Sequence, residues 1–83
     1  MREVKDPVRR GKWLYKKASD EPNKRVGRMW GFHLLDHLMH YRMGAGDIEL
    51  DWLTLATLLW DLGLPSFDEY QQQWEIYDEF RQS

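Results

Sequence analysis

FHLLDHLMHYR, residues 32–42, decides how the rest of the chain is read. Leu34, Leu35, Leu38, Met39 and Tyr41, with Trp30 just ahead of them, recur at helical spacing. Set out at about 100° per residue, His33, Asp36, His37 and His40 fall together in a sector about 100° wide. All three histidines of the chain lie in this one segment. The helical pattern extends over residues 22–43. It is expected to stop at Gly44 and Gly46, which can take positive φ. Gly27 and Gly31 sit four apart beside the leucine row, which predicts close approach of another helix or a bend. The charges around them exclude a membrane GxxxG pairing.

On the N-terminal side, Asp6-Pro7 reads as an N-cap followed by proline in the first turn, opening a short helix over residues 7–18. Gly11 weakens that helix, and GKWLYKK alternates well enough for a strand, so both readings stand. Residues 19–23 form a turn cluster, from which Glu21-Pro22 can open the next helix.

On the C-terminal side, Asp51 can cap a helix over residues 52–62 that Gly63 and Pro65 end. This helix is apolar nearly all round, with Thr54, Thr57 and Asp61 on one narrow strip, and is expected at the centre of the core. Ser66 and Glu69 fit a capping box for a last helix over residues 67–81. Phe67, Tyr70, Trp74 and Tyr77 form its aromatic stripe. The expected fold is all-α, a small bundle of three to four helices with a basic N-terminal arm. Residues 1–83 form a single helical domain, 1–21 as basic arm or short helix and 22–83 as helical core.

Bulk properties narrow the class. The 83 residues suit one domain with a thin core. Five tryptophans, four tyrosines and three phenylalanines are generous for that length, and some are expected to serve a partner. With no cysteine there is no disulfide framework and no thiolate zinc site. No apolar run reaches the roughly 18–20 residues of a membrane span, and MREVKDPVRR has no apolar run after its charges, as a secretory signal requires. A cytoplasmic location is expected. The charge is polarised: residues 1–28 hold ten Lys/Arg and four Asp/Glu, whereas residues 29–83 hold two Arg and ten Asp/Glu. Such poles can serve an acidic partner, or attract each other within one chain or between two copies of a homodimer.

Three kinds of site follow. His33, Asp36, His37 and His40 have the spacing to grip a zinc or nickel ion from one helix, but no other histidine or cysteine completes the shell. A solvated face or a partner contact is therefore the preferred reading, and no cofactor is expected. Nucleic acid could be held by Arg9, Arg10, Lys12, Lys16 and Lys17 around Trp13 and Tyr15, continued by Lys24, Arg25 and Arg28. The helix-turn-helix-like run LGLPSFDEYQQQWE is excluded as a reader, because its helix carries carboxylates toward a polyanion. Catalysis has little support: Asp36 with His37 or His40 could form an acid/base pair, but nothing supplies a substrate cleft. Ser19, Ser66 and Ser83 have no histidine close in sequence, and Gly44-Ala45-Gly46 lacks the strand and third glycine of a phosphate loop.

LDWLTLATLLWDLGLPS, residues 50–66, opens a leucine-rich helix with tryptophan and closes on Leu-Pro-Ser, downstream of the Asp36, His40, Tyr41 pattern. Across residues 34–66 the chain resembles small tail-assembly chaperones of tailed phages. It departs from their pattern at Gly63 and in its basic first third. The resemblance implies a non-enzymatic binder that shields apolar segments of another protein, and it carries over no individual residue. The combined expectation is a protein-binding adaptor, inhibitor or assembly chaperone, phage- or mobile-element-encoded, gripping its partner through Trp13, Tyr15, Trp74, Tyr77 and Phe80. A nucleic-acid-binding module is the alternative.

Overall fold

The computed structural model describes residues 5–82 and shows four α-helices and no strand among them. Helix α1 is Pro7–Asp20, α2 Lys24–His40, α3 Trp52–Asp61 and α4 Phe67–Gln82, with a 3₁₀ turn at Ala45–Ile48. The basic first third is thus helical from Pro7 onward and docked on α2, and GKWLYKK is not a strand. The remainder of the expected basic arm, residues 1–4, lies outside the described residues.

Each helix begins where a short polar side chain can take its unpaired N–H groups. The Asp6 carboxylate accepts from Arg9 N at 3.2 Å, with Pro7 in the first turn. Asn23, rather than Glu21-Pro22, starts α2, its Oδ1 accepting from Arg25 N at 2.9 Å and Val26 N at 3.3 Å. Asp51 Oδ1 accepts from Thr54 N at 2.7 Å, and these Thr54 bonds hold its carboxyl below the ordinary aspartate value. Ser66 Oγ accepts from Glu69 N at 3.2 Å at the head of α4.

Helices α2 and α3 end in the same motif, a left-handed residue followed by a returning N–H. In α3 that residue is Gly63, with φ 70°, and Leu64 N donates to Leu59 O at 2.9 Å. In α2 it is Arg42, with φ 54°, and Met43 N donates to Leu38 O at 2.8 Å. The stop therefore comes before the glycines from which it was expected. Gly44 has extended backbone and meets a different need: a Cβ there would lie 3.0 Å from the Trp52 ring.

Helix α2 is the centre of the molecule. Gly27, Trp30 and His37 on one side face α1, while Phe32 and Asp36 on nearly the opposite side face α4. Between these flanks Gly27 and Gly31 receive Leu62 and Leu64 from the α3–α4 connection. An added Cβ at Gly31 would lie 2.3 Å from Leu64 Cδ1, and one at Gly27 3.0 Å from Leu62 Cδ2. The paired glycines do mark a close approach, made mainly by a connecting loop. The core is built from Leu34, Leu35, Leu38, Ile48, Leu55 and Leu59, all fully buried, with Leu14 and Ala18 from α1. Each such leucine or isoleucine contributes about 1.5–3 kcal/mol by leaving water. Helix α4 adds only the half-buried Phe67 and Tyr70 to this core.

Gly11, a weak point by helix propensity, sits where Ile48 presses on α1, and an added Cβ would lie 2.5 Å from Ile48 Cγ2. Alanine gains about 1 kcal/mol of helix propensity over glycine, but overpacking costs about 1–3 kcal/mol. Ile48 is fully buried and its Cγ2 is close to the backbone, so it cannot swing aside. Gly11→Ala should accordingly lower stability in urea unfolding by roughly 1 kcal/mol, and by no more than about 2, net of the two effects. An unchanged or raised midpoint would show that the turn at Ala45–Ile48 yields freely.

Candidate docking surface

The sector with the histidines is divided among three tasks. His37 is buried, and its Nε2 donates to Pro7 O at 2.7 Å, tying the first turn of α1 to α2. Asp36 accepts a hydrogen bond from the Tyr70 hydroxyl of α4. His33 and His40 remain exposed between these ties, one ring beside Trp30 at 5.8 Å and the other beside Tyr41 at 4.7 Å. Asp36 and His37 thus tie α4 and α1 to α2 at the two edges of the stripe. Among the described residues no three His, Asp or Glu side chains gather as a metal site would need. Burial, and next the Asp36 carboxylate, hold the Tyr70 phenol well above the ordinary tyrosine value.

The cations are also divided. Lys24 Nζ donates to Asp61 O at 3.3 Å and Arg28 Nε to Leu62 O at 2.9 Å, supplying donors to the last carbonyls of α3. Positive charge at a helix C-terminus is favourable there. Lys12 pairs with Glu49 at 2.8 Å, an exposed contact worth below about 1 kcal/mol. Arg10 and Lys17 lie over the Trp13 ring at 4.4 and 5.4 Å from its centroid. Arg9, Lys16 and Arg25 are exposed. Of the eight cations expected to follow a phosphate backbone, Lys24 and Arg28 are thus also hydrogen-bonded to the end of α3, while remaining exposed.

The expected partner-binding aromatics separate as well. Trp13 stands edge-on to Trp30 at 5.4 Å and keeps 40 % of its surface exposed. Tyr15 is half-buried against the core. Trp74 is half-buried beside Met39 and Met43 in a hollow between α2 and α4, whereas Tyr77 and Phe80, farther along α4, are exposed.

The largest departure is α3, which is not the central helix. Leu55 and Leu59 alone of this helix are fully buried, and its opposite apolar face points outward. Trp60 is 85 % exposed, Leu53 77 % and Trp52 53 %, with the exposed Ala56 between them. Beside this face a hollow of about 270 Å³ runs along α3 to the start of α4, walled by Trp52, Ala56, Trp60, Leu64, Pro65 and Phe67. Trp52 and Phe67 close one end edge to face, 4.9 Å apart. Trp52, Leu53 and Trp60 were missed because an all-round apolar pattern also describes a buried helix. The available signal was arithmetic: a chain this short cannot surround a helix on every side.

Scans of protein-family models, curated proteins and solved structures found no match to this chain.

If this face lies outside the core, Trp60→Ala and Leu53→Ala should each shift stability by no more than about 0.5 kcal/mol, as exposed substitutions do. Loss of about 2 kcal/mol or more, the scale of a core truncation, would place them inside. For Tyr70, a folded pKa raised above the unfolded value of about 10 means that its contribution is complete below pH about 10 and declines as pH rises past it. Ultraviolet titration should show one phenol of four ionising after the others, and Tyr70→Phe should remove that late step and cost about 1–3 kcal/mol.

Proposed function

We propose that the chain is a protein-binding adaptor whose docking face is α3, acting by contact without a reaction. The observation that carries this reading is the exposure of Trp52, Leu53 and Trp60 on one face beside an apolar hollow. Tryptophan fills pockets at interfaces with large area and few rotatable bonds, so such residues dominate binding energy when water is excluded from them. Contiguous apolar surface of this kind is unfavourable in water and marks interaction sites. The resemblance of residues 34–66 to tail-assembly chaperones supports the finer reading, a small phage-type chaperone or inhibitor that covers an apolar segment of a second protein. In this reading Tyr77 and Phe80 on α4 add a secondary contact. A phosphate-tracking role through α1 is the weaker alternative, since Lys24 and Arg28 are engaged with α3. No described helix is long and apolar enough to cross a membrane.

The test is affinity capture from candidate host and phage lysates, using the wild-type chain beside Leu53→Asp and Trp60→Ser. One stoichiometric protein should be recovered by the wild type and lost, by at least about tenfold, with either variant, as expected for anchors worth about 1.4 kcal/mol or more. Circular dichroism should show both variants folded. Equal recovery by all three proteins would refute α3 as the docking face. Recovery of nucleic acid alone, falling steeply with salt, would favour the alternative.

A further inference from the structure

Helices α1 and α4 carry the two charge poles, and α2 holds them apart. On the outward row of α1 stand Arg9, Trp13 and Lys16, with Arg10 and Lys17 flanking the tryptophan ring. The outward side of α4 presents Glu79 and the exposed Ile76, with the exposed Glu75 at the lip of the hollow between α2 and α4. The first surface is an aromatic floor with cationic walls. The second is an apolar ridge with an anionic edge. At 1.5 Å per residue the helices are about 21 and 24 Å long, so one can lie along the other for most of its length. Within one chain they occupy different flanks of α2, α1 against Gly27, Trp30 and His37 and α4 against Phe32 and Asp36.

We infer that α4 of one copy docks on α1 of the next, so that the chain associates head to tail with itself. Two different surfaces of the molecule make a heterologous contact, which repeats into a ring or an open chain, whereas a two-fold dimer uses one patch twice. Charge complementarity selects a second copy as the occupant, since each helix offers what the other lacks: cations against carboxylates, and the Trp13 face against Ile76. A contact between two helices is at the small end of stable interfaces, so association is weak, grows with concentration and depends on salt. Helix α3 belongs to neither surface, so every copy in the assembly still displays its Trp52, Leu53 and Trp60 face. The arrangement does not depend on what α3 binds.

Sedimentation velocity of the full chain, over a concentration series at about 0.01 M and about 0.5 M salt, tests this directly. At low salt the mass should climb past twice the monomer's 10.1 kDa, and at high salt return toward 10.1 kDa. Arg9→Glu with Lys16→Glu should abolish the growth, as should Glu75→Lys with Glu79→Lys. All four substitutions in one chain should restore growth at least in part, because the substituted positions of the two rows are again opposite in charge. All these side chains are exposed, and circular dichroism should confirm folding of each variant. A monomer at every concentration, growth that ignores the reversals, or failure of the four-fold variant to recover would overturn the inference. A mass that stops at twice the monomer would overturn the head-to-tail arrangement. Retention of nucleic acid by α1 without self-association would assign the basic face to a different partner and equally overturn it.

Discussion

The fold depends on how closely other segments can approach α2. Two of its residues, Gly27 and Gly31, have no side chain, and into that gap press Leu62 and Leu64 from the connection between α3 and α4. The same principle acts once more where Ile48 meets Gly11 of α1. These three approaches allow a short chain to enclose six fully buried aliphatic side chains. Wider spacing would leave voids, and lining atoms that lose their neighbours across a void lose dispersion energy outright.

A helix with so many neighbours has little circumference left, and this explains the polar stripe. His37 and Asp36 stand at the margins of the apolar face, where α1 and α4 arrive. Each directs a hydrogen bond across a helix pair that apolar contact alone would leave free to slide. For α4 the tie matters more, since that helix places no fully buried residue in the core. Ion pairing adds little by comparison: the Lys12–Glu49 bridge is exposed, and the firmer cation contacts are those of Lys24 and Arg28 with carbonyls at the end of α3.

The same economy leaves apolar surface outside. Helix α3 buries Leu55 and Leu59 against the core, and among the described residues nothing covers the exposed surface of Trp52, Leu53 and Trp60. An apolar face retained in water needs a reason other than folding, which the proposed docking role would supply. Charge is divided likewise. Helices α1 and α4 pack on different flanks of α2, which keeps their exposed basic and acidic rows on separate surfaces.

Much of this was determined by local chemistry and could be read from the chain alone. Asp6 with Pro7, Asp51, Ser66 and Gly63 announce helix ends through their own hydrogen-bonding and backbone preferences, which need no tertiary partner. The spacing of Leu34, Leu35 and Leu38 announces a buried helix face for the same reason. Tertiary structure alone decided which apolar face of α3 is covered, because periodicity records how many apolar directions a helix has and not how many neighbours reach it. It also decided that α2 ends at His40, with the left-handed Arg42 ahead of Gly44, and that Asp36 and His37 of the histidine stripe are clamps. The clamps depend on Pro7 and Tyr70, 30 and 34 residues from the side chains they meet, and a local pattern has no record of them.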